Sequence, residues 1–213
     1  ILQGILEQQG MHFHLGTTVE TILGNNQVKG VRLADDREIP AEMALTCAGI
    51  VPNKTLAEEA GIACNRGILV DDYLETSVEG IYAAGDVAEH NNTIYGLWNI
   101  SQEQARVAAA NMLQSRSQKY SGSKIGTTLK VANLYLTSLG SVSPQETANT
   151  EIRKFYNEET SEYVKLFLDE GRIQGAIILG TKKGIPLIRK LFLKDEPVSQ
   201  FSNEFKQLFP GLV

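Results

Sequence analysis

The hydrophobic period of this chain changes once, across residues 114–124 (QSRSQKYSGSK). That segment is polar and small, offers no apolar face to a core, and reads as a linker. Upstream of it, short apolar runs are broken by Gly, Asn and Asp, and one alanine-rich stretch has helical spacing. Downstream, longer runs read as strands. A chain that changes period at a polar break folds as more than one packing unit. Its 213 residues allow this, at roughly 100–200 residues per domain.

Upstream, Ile1, Leu2, Ile5 and Leu6 recur at helical spacing and Gly10 stands where a C-terminal cap belongs. With isoleucine first and no N-cap residue before it, the chain is expected to begin inside a helix and to be a fragment of a longer protein. Residues 11–15 alternate apolar and polar, which predicts a half-buried strand with His12 and His14 on its solvent face. Residues 19–23 and 28–33, with turns at 24–27 and 34–37, read as a meander of hairpins. A small-residue strand is expected at 44–49, a short helix at 54–60 stopped by Gly61, and strands at 67–70 and 80–84. Residues 101–113 (SQEQARVAAANML) form a strong helix pattern with Ser101 at the N-cap. Beyond the linker, strands are expected at 127–136, 150–156, 162–168 and 172–179, the last two joined at Asp169, Glu170 and Gly171, and helices at 185–193 and 199–208. This second unit is an antiparallel sheet with helices at one end.

Charge and composition remove several classes of function. The balance of 20 Lys+Arg against 25 Asp+Glu leaves no basic footprint, so neither nucleic acid nor an anionic membrane is expected as a partner, and the bias is toward a cytoplasmic protein. The longest apolar run, about 175–179, is far short of the roughly 18 residues of a membrane span. The first residues lack the basic region and cleavage pattern of a signal peptide. Cys47 and Cys64 form no C-x-x-C, and with three scattered histidines (His12, His14, His90) they make neither a zinc site nor a cluster site, so no metal ligands are expected.

The stretch that can carry chemistry is 76–87 (TSVEGIYAAGDV). It reads as a buried strand of small residues ending in Gly85 and Asp86. The glycine lets a ligand approach the backbone, and the carboxylate beyond it suits a polyol hydroxyl. A strand ending in Gly-Asp is also a common start to a loop.

This stretch resembles the second FAD contact of the FAD-dependent pyridine nucleotide oxidoreductases, in which Thr-x-x-x-x-Ile-(Tyr/Phe)-Ala-x-Gly-Asp places the aspartate on the ribityl chain. Thr76, Ile81, Tyr82, Ala83, Gly85 and Asp86 match. Residues 47–53 (CAGIVPN) resemble the family's junction between the NAD(P)H and FAD domains, and 67–71 (GILVD) the strand that follows it. Tyr95, Gly96, Leu97 and Trp98 precede the Ser101 helix as in the NADH-dependent nitrite reductase and NADH–rubredoxin reductase branch. A helix N-terminus there would favour the anionic edge of reduced flavin, and Trp98 would wall the ring, its alternative being an ordinary core position. Residues 120–122, 127–131 and 137–140 are similar to that branch's terminal domain.

The resemblance implies an α/β and α+β fold: remnants of two Rossmann-like nucleotide-binding domains followed by a C-terminal α+β interface domain. Residues 1–50 would end the NAD(P)H-binding domain, 51–117 would be the C-terminal segment of the FAD-binding domain, and 118–213 the interface domain. It further implies FAD and NAD(P)H as cofactors, with Gly85, Asp86, Leu97 and Trp98 as flavin contacts and no side chain as acid, base or nucleophile. Hydride would pass from nicotinamide to flavin, and electrons onward to a rubredoxin-like protein or a nitrite-reductase-type haem module. A homodimer is compatible with an interface domain.

Against this stands an absence: among 19 glycines no two are separated by a single residue, so neither dinucleotide G-x-G fingerprint is present. The second reading is therefore a non-catalytic interface or dimerisation fragment that binds flavin weakly or not at all. A third is a two-domain α+β binding protein whose Gly-Asp strand is accidental. Cys47 and Cys64 do not resemble the family's redox disulfide.

Overall fold

The computed structural model describes residues 1–131, 134–143 and 149–212. The chain opens with α1 (Leu2–Gln8), whose Leu6 is buried. Three short strands follow, β1 (Val19–Leu23), β2 (Gly30–Leu33) and β3 (Glu38–Pro40), paired antiparallel in sequence order as the expected meander. The strands expected at 11–15 and 44–49 are absent. Neither alternation nor a run of small residues makes a strand without a neighbour that supplies a ladder, and neither segment pairs with a described strand. Leu15 and Leu45 are accordingly 69% and 85% exposed.

Next come α2 (Thr55–Glu59) and β4 (Ile68–Val70), which pairs in parallel with β5 (Ala88–His90). The strand expected at 80–84 is not formed. Only Tyr82 pairs, in an isolated bridge to Glu75. The chain at 76–81 is instead folded back by Thr76 N–H to Ile81 O and Ile81 N–H to Val78 O, at 2.8 and 3.1 Å. Gly85–Val87 makes a single 3-10 turn, and the regular strand lies after the Gly-Asp pair rather than before it.

Helix α3 (Trp98–Leu113) starts one turn earlier than expected, with Leu97 at the N-cap. Ser101 is inside the helix: its N–H donates to Leu97 O at 2.9 Å, and its one hydroxyl proton is shared between Leu97 O at 3.1 Å and Asp86 Oδ1 at 3.2 Å. Val107 and Ala108 of α3 pack on Leu74, Val70, Tyr82 and Ala84. The alanines allow this close approach.

The 114–124 segment has no regular structure, yet it is anchored. Tyr120 is only 2% exposed, in the same cluster as Leu74 and Val107. Asn111, also buried, donates to Tyr73 O and Gln118 O and accepts from Gln118 N–H, each at 2.8 Å.

Beyond it are β6 (Gly126–Val131), β7 (Leu134–Gly140), β8 (Thr150–Asn157), β9 (Glu162–Asp169) and β10 (Arg172–Leu179), all antiparallel in the order β6-β7-β10-β9-β8. The single strand expected at 127–136 is thus two paired strands; Ala132 and Asn133 lie outside the described residues. Helices α4 (Ile185–Lys194) and α5 (Ser202–Leu208) supply Ile188, Leu191, Phe192 and Phe205 to a core with Leu139, Val164, Leu166, Leu168, Ile173 and Ile178. The first residues of the helix expected at 199–208 lie instead in a 3-10 turn, Val198–Phe201. No helix among the described residues is long and apolar enough to cross a membrane.

Candidate functional site

The Gly85-Asp86 turn is held against the first turns of α3. Gly85 has φ +82°, a left-handed value that a side chain rarely adopts, and a Cβ there would lie 3.4 Å from Ser101 Cβ and Oγ. Its N–H donates to Gln104 Oε1 at 2.8 Å. Asp86 is exposed, and Ser101 Oγ donates to its Oδ1 at 3.2 Å. No described residue bonds Oδ2, so one carboxylate oxygen remains able to accept from a hydroxyl. Ser101 also bonds Leu97 O. One hydroxyl therefore brings Asp86 and Leu97, two of the residues singled out in the sequence, to the same point.

Trp98 opens α3 and is 79% exposed, so the reading of the only tryptophan as a core residue is overturned. The first N–H groups of this 16-residue helix have no partner within the helix, and they carry about half a positive charge. Exposed indole, helix N-terminus, glycine-lined turn and free carboxylate oxygen together suit a flat, electron-rich ring with a polyol tail. The residues present thus fit a flavin.

Behind the turn lies a polar network invisible in the motif. Gln104, 1% exposed, donates from Nε2 to Tyr120 OH at 3.4 Å, and Tyr120 OH lies 2.7 Å from Ser123 Oγ. Ser123 Oγ donates to Glu103 Oε2 at 2.6 Å, and Ser123 N–H to Tyr95 OH at 3.0 Å. Burial pushes the Tyr120 phenol up to about 12. Gln104 was legible only as part of a polar first turn, and Tyr120 as a linker residue within the 120–122 resemblance to the terminal domain.

Two buried ionisable groups lie on β5. Glu89 accepts from Gly67 N–H at 2.8 Å and Asn65 Nδ2 at 3.0 Å, bonds that hold its carboxyl below the usual range. His90 contacts Asp72 Oδ1 at 3.0 Å, and this bond lowers the Asp72 carboxyl. Both link β5 to neighbouring loops. His12 and His14 are exposed, Cys47 and Cys64 are free thiols, and no group of three metal-ligating side chains occurs among the described residues.

Comparison with known proteins gives the class this chain is similar to: oxidoreductases that use pyridine nucleotides. Residues 1–105 match the family described as "Pyridine nucleotide-disulphide oxidoreductase", and residues 126–196 match "Rubredoxin NAD+ reductase C-terminal domain". The chain thus carries pyridine nucleotide-disulphide oxidoreductase sequence over residues 1–105 and rubredoxin reductase C-terminal sequence over residues 126–196. It is 36% identical over 202 residues to "Nitrite reductase [NAD(P)H]" of Bacillus subtilis, a match covering 95% of this chain and 25% of that protein. It is 33% identical over 181 residues to "Rubredoxin-NAD(+) reductase" of Acinetobacter baylyi, covering 84% of this chain and 45% of the relative. The fold is shared with a solved FAD-dependent pyridine nucleotide-disulphide oxidoreductase from Desulfovibrio vulgaris, at TM-score 0.75 and 23% identity, covering 95% of this chain and 55% of that one. The chain therefore spans between a quarter and a little over half of the length of these proteins.

Proposed function

We propose that this chain forms the flavin-proximal and interface part of an oxidoreductase that passes electrons from NAD(P)H through FAD to a separate acceptor. The observation that carries the reading is the Asp86 carboxylate held by Ser101 against α3, the helix that opens with the exposed Trp98. Gly85 admits close approach, Asp86 accepts from the ribityl chain, and Leu97 and Trp98 border the ring. When bound, the flavin supplies hydride acceptance and onward electron transfer. The protein's part is to orient it and to stabilise charge on its ring with the α3 N-terminus. In this reading residues 1–50 close the NAD(P)H-binding domain, 51–117 belong to the FAD-binding domain, and 118–213 are the interface domain.

The acceptor is of the nitrite-reductase or rubredoxin type, after the relatives' names, and the setting is cytoplasmic. A homodimer formed through the interface domain is part of the same proposal. The second reading, an interface fragment with little or no flavin affinity of its own, is favoured by the absence of any G-x-G among the glycines. Absorption near 450 nm in the purified chain decides between them. A stoichiometric flavin band that is lost in Asp86→Ala supports the first reading. A colourless chain that takes up no added FAD supports the second.

A further inference from the structure

The network behind Gly85 has a direction, and an exposed carboxylate sets it. Glu103, when ionised, can only accept, so the Ser123 hydroxyl proton points at it (2.6 Å). With that proton committed, the 2.7 Å contact between Tyr120 OH and Ser123 Oγ requires the phenol to donate. The phenol oxygen is then the acceptor for Gln104 Nε2, which turns Gln104 Oε1 toward Gly85 N–H at 2.8 Å. Reversed, the chain would aim an amide N–H at the N–H of Gly85, leaving two donors facing each other. Tyr120 and Gln104 are buried, so water cannot readily substitute.

We propose that Glu103, Ser123 and Tyr120 are positioning residues that fix the Gly85-Asp86 turn through Gln104, and that the linker segment thereby sets the geometry of the flavin contact. The second clause rests on the flavin reading given above. Tyr120 is also the point where the two units meet: its ring packs against His90 and Tyr95, with centroids 5.0 and 6.4 Å away, and four residues on Lys124 Nζ donates to Phe192 O at 2.6 Å. A displacement of the terminal sheet would pull on the same segment that orients Gln104.

The test is amide hydrogen exchange of Gly85, measured by NMR on the 213-residue chain without FAD. Glu103→Gln is nearly isosteric and exposed, yet its amide can donate to Ser123 and so permits the reversed chain. Gly85 exchange is expected to rise about fivefold in Glu103→Gln and about tenfold in Tyr120→Phe, while Val107 exchange stays unchanged, because one net hydrogen bond is worth about tenfold in an equilibrium. Gln104→Glu, which keeps an acceptor for Gly85, is expected to restore protection lost in Gln104→Met. Unchanged Gly85 exchange in Glu103→Gln and Tyr120→Phe overturns the proposal, as does a uniform rise across α3. FAD titration of Asp86→Ala tests the flavin reading separately: no change there removes that reading while the exchange result still decides the positioning role.

Discussion

Ser101 Oγ donates to Asp86 Oδ1 at 3.2 Å from the first turn of α3, joining the Gly85-Asp86 turn to the start of that helix. The aspartate is exposed, so the bond orients a carboxylate rather than stabilising a core. Ser101→Ala is expected to leave thermal stability within about 1 kcal/mol of the parent. FAD affinity, measured by titration, is expected to fall several-fold because Asp86 loses its preferred rotamer.

At Gly85 the constraint is the backbone. Gly85→Ala places a Cβ on a residue with φ +82°, beside Ser101. Denaturant unfolding is expected to show a loss of about 1–3 kcal/mol, typical of a non-glycine residue held at positive φ.

In the terminal unit the corresponding position is Gly175, where an added Cβ would lie 1.8 Å from Ser141 O and 3.2 Å from Leu139 O. These are backbone atoms, and β10 and β7 would have to separate. Gly175→Ala is expected to cost at least about 3 kcal/mol, and Leu166→Ala, at 1% exposure, about 2–5 kcal/mol from the cavity left in the core. Both are read as early loss of sheet signal in thermal circular dichroism.

Alkaline titration isolates Tyr120. Its folded pKa of about 12 lies above the unfolded value near 10, so the neutral phenol stabilises the fold below about pH 10 and that contribution is lost as pH rises through 12. Absorbance at 295 nm is expected to show one of seven tyrosines ionising last, and Tyr120→Phe to remove that step.

Glu89 acts at the other end of the scale. Its carboxyl is lowered by the Gly67 N–H bond first and the Asn65 bond after it. It therefore contributes stability above the ordinary glutamate value, near 4.3, and loses it as pH falls through the lowered folded value. Glu89→Gln turns a donor toward Gly67 N–H or Asn65 and is expected to lower stability at pH 7 while flattening the acid limb of the unfolding curve.

What was legible in the sequence follows which interactions are local. The antiparallel terminal sheet, the Asp169, Glu170, Gly171 hairpin and the helix through Val107 show in period and turn chemistry alone. Residues 11–15 misled by alternation and 44–49 by a run of small residues, since either pattern makes a strand only when a partner exists. Ser101 has the composition of an N-cap, but the helix starts at Trp98, and the Ser101 hydroxyl proton is shared between Leu97 O and Asp86, fifteen residues away in sequence. Asp86 and Trp98 were visible through motif and composition. Gln104 and Tyr120 were not, since what defines them is a contact across sixteen residues between a helix and a stretch that looks like a linker.

The central claim, that the Gly85-Asp86 turn and Trp98 form one flavin contact, is tested most directly by titrating FAD into the chain and following the fluorescence of its single tryptophan. The account predicts saturable quenching of Trp98, with the half-point moved about tenfold higher in Asp86→Ala, as expected when a hydrogen bond to a charged group is lost. Quenching that is absent, or identical in the parent and Asp86→Ala, would contradict it.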